Sequence, residues 1–79
     1  MADIEILVSS DCHYEELVIE IYYKGKYVAL LNQDNGLKDI RIEFPDERHI
    51  NKDLITNTVP LDIFEKAIRM AKKELETIH

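Results

Sequence analysis

Cys12 and His13 are neighbouring residues whose types could support nucleophilic catalysis, with the thiol as nucleophile and the imidazole as its base. Neighbours in sequence rarely present their side chains in hydrogen-bond geometry, and no third group that would orient the base is evident. The other histidines, His49 and His79, lie far away along the chain, and the spacing of Cys and His matches no zinc motif. We therefore interpret Cys12 as a residue of a polar surface loop and predict no metal site.

Two pairs of adjacent acids, Glu15-Glu16 and Asp46-Glu47, are the remaining candidates for acid–base chemistry. Adjacent acids in polar loops are usually solvated rather than catalytic. Both glycines of the chain stand alone, so the sequence has no glycine-rich loop of the kind that cradles phosphate. The residues therefore predict a protein that is not an enzyme and that uses no cofactor.

Alternation of apolar and polar residues predicts four β-strands, which would position the loops that carry these candidate residues. The strands cover residues 4–8, 17–23, 27–32 and 40–44. Lys24-Gly25 joins the second strand to the third, and a region with the Asn35-Gly36 turn signal joins the third to the fourth. Pro45 ends the last strand. Consecutive strands with short connections predict an antiparallel meander.

The period of the pattern changes after residue 60 and predicts one C-terminal helix. Its apolar stripe repeats at intervals of three and four residues, at Leu61, Phe64, Ile68, Ala71, Leu75 and Ile78. Phe64 and Ile68 are central in the stripe, so we expect both in the core. Between sheet and helix, residues 54–55 fit either a short edge strand or a pinned loop. Residues 1–79 are thus predicted to form a single α+β domain, a four-stranded antiparallel meander sheet packed on one C-terminal helix.

The predicted helix can cover only one face of the sheet, and nothing remains in the chain to cover the other. Alternation turns these side chains of the first two strands toward the helix: Ile4, Ile6, Val8, Leu17, Ile19, Ile21 and Tyr23. It turns Val18, Glu20 and Tyr22 of the second strand outward. Arg41 and Glu43 of the fourth strand point the same way. An uncovered apolar and aromatic surface rimmed by charge is typical of a protein interface.

The register of the third strand has two solutions. A two-residue turn at residues 24–25 sends Leu31 outward, whereas a tight turn at residues 35–36 pairs Leu31 with Ile40 and sends it inward. Both cannot hold without a β-bulge or a looser loop. In either case, the third strand contributes apolar side chains to the uncovered face.

Charge is unevenly distributed along the chain, whose formal net charge is −6. Residues 61–79 carry four acids and four bases, whereas the first sixty residues carry 12 acids and 6 bases. An acidic sheet region repels nucleic acid and anionic membranes, and it attracts basic partners. Four acids in or next to the flanking loops could reach a curved partner: Asp34, Asp39, Asp46 and Glu47.

The sequence shows no sign of export. The N-terminus is acidic, whereas the start of a secretory signal is basic, and no apolar run approaches the roughly 18 residues of a transmembrane helix. The single cysteine permits no internal disulfide and fits a reducing compartment. We therefore expect a cytoplasmic protein that binds neither membranes nor nucleic acid.

Three segments resemble a known class of proteins: YEELVIEIYYKGKYVALL (residues 14–31), IEFP (42–45) and VPLDIF (59–64). Within a span from residue 14 to residue 75, they resemble small bacterial immunity proteins encoded beside polymorphic toxins, such as those of contact-dependent growth inhibition. The resemblance implies a cytoplasmic protein that binds and neutralises one cognate toxin domain, commonly a nuclease. Because such proteins bind their toxins through different surfaces, it implies no particular binding residues.

The charge and the resemblance point to the same kind of partner. Nuclease toxins grip phosphates and tend to be basic, so an acidic inhibitor gains association rate and occludes the basic cleft. The expected partner is therefore a basic toxin domain, bound by a monomer or a weak homodimer of this chain. The rival interpretation is a non-catalytic homo-oligomeric subunit, structural or regulatory, whose open sheet face pairs with its own copy.

Overall fold

The chain folds in the order expected from its hydrophobic pattern, as four β-strands followed by one α-helix. The computed structural model describes residues 3–10, 14–45, 52–56 and 58–78. The elements are β1 (Ile4–Ser9), β2 (Val18–Tyr23), β3 (Lys26–Asn32), β4 (Arg41–Glu43) and α1 (Leu61–Ile78). Single turns of 3₁₀-helix cover Leu37–Asp39 and Lys52–Leu54.

The four strands form one antiparallel sheet in the order β1-β2-β3-β4. Each strand pairs with the next one along the chain, which confirms the predicted meander. β1 and β2 pair in regular register, from Ile4 opposite Tyr23 to Ser9 opposite Val18. β1 and β4 are therefore the two edges of the sheet.

A tight turn joins β2 to β3. Tyr23 lies opposite Lys26, so only Lys24 and Gly25 form the loop. Their φ angles are 51° and 81°, and two consecutive positive values are typical of the type I′ hairpin turn. Gly25 adopts such a conformation without steric cost, whereas Lys24 does not. This confirms the predicted two-residue connection.

A β-bulge follows the turn and settles the register of β3. Tyr22 pairs with Tyr27, but Ile21 pairs with Ala29, so that Val28 is an extra residue on β3. Tyr27 therefore faces away from α1, as the two-residue turn requires. Beyond the bulge, the alternation of β3 is shifted by one face, which places Ala29 and Leu31 in the core.

The connection from β3 to β4 is longer than a tight hairpin. Leu31 lies opposite Ile42, so the tight-turn alternative that pairs it with Ile40 is wrong, although Leu31 does face inward. Gly36 has φ 94° and ψ 166°, a conformation open almost only to glycine, and its N–H donates to the carbonyl of Gln33 at 2.8 Å. A helical turn follows before β4 begins, so the loop spans more residues than the Asn-Gly signal indicated.

The connection from β4 to α1 is pinned to the sheet at one point. Ile55 forms an isolated parallel bridge with Tyr27, and the N–H of Thr56 donates to the carbonyl of Tyr27 at 2.9 Å. The Ile55 side chain is buried. Of the two alternatives for residues 54–55, the structure therefore has the pinned loop.

Helix α1 packs on β1 and β2 through a line of residues that differs from the predicted stripe. Ala67, Ala71 and Leu75 are completely buried, whereas Leu61 is 70% exposed. Phe64 and Ile68 only flank the core and are partly buried. Ala71 and Leu75 of the predicted stripe are thus confirmed in the core. Ala67 was missed, because alanine adds little hydrophobic signal although it fits closely against a sheet. The Ile78 side chain lies outside the described part of the chain.

Three side chains of the first two strands depart from the expected inward and outward sets. Val8 was expected inward but is 46% exposed. Leu17 was also expected inward, but it precedes β2 and is 40% exposed. Val18 was expected outward and is completely buried.

The revised helix face can be tested by two leucine substitutions. Leu75→Ala should lower the free energy of unfolding by about 2–5 kcal/mol, because it empties a fully buried position. Leu61→Ala is the matched control and should change it by less than about 0.5 kcal/mol. Urea unfolding followed by circular dichroism measures both. Equal losses would mean that the helix packs through the stripe expected from the sequence.

Candidate functional site

The sheet face opposite α1, here called the open face, carries most of the residues predicted to bind a partner. Strand register aligns its side chains in rows that cross the sheet. One row contains Glu5, Tyr22 and Tyr27. The next row contains Leu7, Glu20, Leu30 and Glu43. Apolar and acidic side chains therefore alternate across all four strands.

The segment that precedes β2 covers one end of the open face. The Tyr14 hydroxyl donates to Oε2 of Glu43 at 2.5 Å, and Nε2 of Gln33 donates to the carbonyl of Leu17 at 3.1 Å. The segment is thereby tied both to β4 and to the end of β3. The expectation that nothing in the chain covers this face is therefore wrong at this end, where Val18 and Leu30 are buried.

Glu43 was predicted to bind a partner and instead joins three parts of the same chain. Its Oε2 accepts hydrogen bonds from the Tyr14 hydroxyl and from Nδ2 of the buried Asn32, each at 2.5 Å. The carboxylate thus links the segment before β2 to β3 and β4. We interpret Glu43 as a residue that holds the covered end of the open face together.

Three other predicted residues also have partners within the chain. The Arg41 guanidinium makes two parallel hydrogen bonds to the Asp39 carboxylate, from Nε to Oδ1 and from the second terminal nitrogen to Oδ2, both 2.9 Å. This hydrogen-bonded carboxylate raises the pKa of Arg41. Oδ1 of Asp34 accepts from the N–H of Glu16 at 3.2 Å. Arg41 and Asp39 remain exposed, but their charges offset one another.

Asp46 and Glu47, the last two predicted binding residues, lie outside the described residues. The same holds for Cys12, His13, His49 and His79. Glu15 and Glu16 are exposed at the surface.

The uncovered end of the open face forms a compact acidic and aromatic surface, here called the Tyr22 patch. Its members are Glu5, Leu7, Glu20, Tyr22 and Tyr27. The rings of Tyr22 and Tyr27 lie 5.6 Å apart between centroids and are tilted by 38°. Leu7 is 43% exposed beside them. The same alternation that placed Ile4 and Ile6 inward also places Glu5 and Leu7 outward, so these two residues were detectable from the sequence.

The environment of Tyr22 combines partial burial with the charges of two carboxylates. Partial burial is the largest cause that raises the pKa of Tyr22 above 10.0, and the carboxylates of Glu20 and Glu5 raise it further. The hydroxyl therefore lies in a field of two negative charges in a partly desolvated setting. A cation brought to this position would be stabilised by the same field.

A second apolar surface, the helix-side groove, lies between α1 and the β3–β4 half of the sheet. It has two lobes that share Phe64, with volumes of about 360 Å³ and 490 Å³. The first lobe is lined by Val28, Phe44, Pro45, Ile55, Thr56, Val59, Leu61 and Phe64. The second is lined by Leu31, Leu37, Lys38, Ile40, Ile42, Phe64, Ile68 and Lys72. Phe44 is 64% exposed at the rim. This groove was not predicted from the sequence, because the helix was expected to cover the whole face.

Among residues 3–10, 14–45, 52–56 and 58–78, no three His, Cys, Asp or Glu side chains are arranged to hold a metal ion. The helical parts of these same ranges include none that is both long and apolar enough to cross a membrane. Neither the Tyr22 patch nor the helix-side groove is built around metal ligands. Both are surfaces whose chemistry suits contact with another molecule.

Comparisons of the chain with protein-family models, with curated proteins and with solved structures gave no match. A role for this chain is therefore argued from the arrangement of its own residues.

The surroundings of Tyr22 can be tested by titration. Absorbance at the tyrosinate band should show a late ionisation to which Tyr22 contributes, and Tyr22→Phe should reduce its amplitude by about one tyrosine. Glu5→Gln together with Glu20→Gln should lower the pKa of Tyr22 only part of the way, because burial, the largest cause, remains. A late ionisation whose amplitude is unchanged in Tyr22→Phe would contradict the raised pKa of Tyr22.

The same shift predicts a pH dependence of stability. The folded chain keeps the Tyr22 proton to a higher pH than the unfolded chain does, so the folded state binds more protons in this interval. The free energy of unfolding should therefore fall as the pH rises from 10.0 through the folded pKa. Urea unfolding at a series of alkaline pH values should show a smaller fall in Tyr22→Phe.

Proposed function

We propose that this chain is a cytoplasmic immunity protein that binds a cognate toxin domain and neutralises it by stoichiometric occlusion. The toxin domain is basic and is a nuclease. The observation that carries the proposal is the Tyr22 patch. In this patch the carboxylates of Glu5 and Glu20 raise the pKa of Tyr22, and the exposed Leu7 lies beside it. The resemblance of the sequence to immunity proteins supports the same role.

The chemistry of the patch suits a basic side chain of the partner. An arginine of a phosphate-binding cleft can stack on the Tyr22 ring while its N–H groups donate to the two carboxylates. Because the site is partly desolvated, each of these interactions is stronger than it would be in bulk water. A nuclease whose arginine is held in this way cannot use it to bind phosphate.

The remaining acids contribute at longer range. Asp34 and Asp39 are exposed in the loop before β4, and they lie among the first sixty residues, which carry the whole negative excess. Exposed charges at the rim of an interface mainly steer encounter and affect the association rate. Asp39 contributes less than its charge indicates, since Arg41 is paired with it. Glu43 contributes by holding the covered end of the open face.

The partner can be found by mass spectrometry of the proteins that co-purify with a tagged copy from its own host. Surface-plasmon kinetics with the purified partner should then show that Glu5→Lys/Glu20→Lys slows association at low salt by about tenfold or more and flattens its salt dependence. Glu74→Lys/Glu76→Lys is the matched control, because it reverses two exposed charges on α1. The control should leave binding nearly unchanged.

Three outcomes would contradict this proposal. If Phe44→Ala weakens binding more than the double reversal does, the partner binds in the helix-side groove. If neither salt nor the charge reversal at Glu5 and Glu20 changes the association rate or the affinity, occlusion of a basic cleft is the wrong mechanism. A co-purified toxin whose activity persists when the chain is bound would contradict neutralisation itself.

A further inference from the structure

The edge strand β1 lacks the features that usually prevent pairing with another chain. It is six residues long, pairs regularly with β2, and carries neither proline, lysine nor arginine. No strand in the described segments pairs with its outer side. The other edge, β4, has only three residues, includes Arg41 and is followed closely by Pro45. The two edges of the sheet are thus protected very differently.

The exposed side chains of β1 lie on both faces of this edge. Leu7 is 43% exposed on the open face, and Val8 is 46% exposed on the face that α1 covers elsewhere. A strand added alongside β1 would cover both side chains at once. Its backbone groups would also satisfy the outer N–H and C=O groups of β1.

We propose that β1 pairs antiparallel with β1 of a second copy of this chain, about a two-fold axis at Leu7. Leu7 of one copy then lies opposite Leu7 of the other, Ile6 opposite Val8, and Glu5 opposite Ser9. The contact is self-complementary and closes at two copies. It joins two meanders into one eight-stranded sheet with both helices on the same face.

The side chains favour this register over its neighbours. An axis at Glu5 would place two carboxylates opposite one another, which destabilises an antiparallel pair. An axis at Ile6 would place Glu5 opposite Leu7. The axis at Leu7 alone matches apolar with apolar and polar with polar side chains along the strand. The matching of apolar side chains at Ile6, Leu7 and Val8 therefore selects both the second copy and its position.

The dimer should be weak and should respond to salt in a particular direction. A pairing of single edge strands buries less than the roughly 1,200 Å² of a stable interface. Each copy also carries a net charge of −6, so the two copies repel one another. Salt screens that repulsion and should strengthen the dimer. Binding of a basic toxin has the opposite salt dependence, so the two associations are distinguishable.

Sedimentation equilibrium of the full chain at low and high salt tests the association. We expect a monomer–dimer equilibrium that high salt shifts toward the dimer. Leu7→Lys should weaken it by about tenfold, because a contact between leucines becomes one between like charges. Leu61→Lys is the matched control, since Leu61 is an exposed leucine at the start of α1, and it should leave the equilibrium unchanged.

Cross-linking tests the register independently of Leu7→Lys. In a Cys12→Ser background, Leu7→Cys should form a disulfide-linked dimer under mild oxidation, because directly opposed Cα atoms lie about 4.5–5.5 Å apart. Glu5→Cys should not, since the two introduced thiols would be separated by about 13 Å along the strands. A monomer at every concentration and salt, or equal cross-linking by both variants, would overturn the proposal.

Discussion

The β-bulge at Val28 is the constraint on which both faces of the sheet depend. Strict alternation from the Lys24-Gly25 turn would place Leu31 on the open face and remove it from the cluster under α1. The extra residue lets Tyr27 face Tyr22 while Ala29 and Leu31 remain in the core. One inserted residue therefore allows a tight turn and a continuous apolar core to occur on the same strand. The Tyr22 patch exists because Tyr27 precedes the bulge and keeps the register that the Lys24-Gly25 turn sets.

The order of the elements and the pairing of the strands were predictable, since these depend on patterns within a few residues. The predictions failed where distant residues decide burial. Val18 has the alternation of an exposed residue, but hydrogen bonds from Tyr14 and Gln33 draw the preceding segment over that end of the sheet. The first half of the helix stripe failed for a different reason, whereas Ala71 and Leu75 in its second half are buried as expected. Apolar residues at intervals of three and four residues occur on two adjacent faces of this helix. The face that contains Ala67 packs on the sheet, because a small side chain allows the helix to approach the strands closely.

The predicted binding residues divide according to whether each charge has a partner within the chain. Glu43 and Glu20 occupy equivalent alternating positions on their strands, and their sequence contexts do not distinguish them. Glu43 meets Tyr14, 29 residues away, and Asn32, 11 residues away. The Glu20 carboxylate instead raises the pKa of Tyr22, which lies on the same strand. The structural role of Glu43 therefore became visible only in the tertiary contacts, whereas the concentration of acids before residue 61 was visible in the sequence.

The packing of α1 on β1 and β2 also has a consequence for synthesis on the ribosome. The helix follows all four strands in the chain, so the sheet can form its local pairings while its main apolar covering has not yet left the exit tunnel. During that interval, Ile19, Ile21 and Leu31 are exposed together with the unprotected edge of β1. Nascent chains on neighbouring ribosomes could then associate through that edge. Slow emergence of residues 61–78 should therefore lower the yield of folded protein more than slow emergence of any strand.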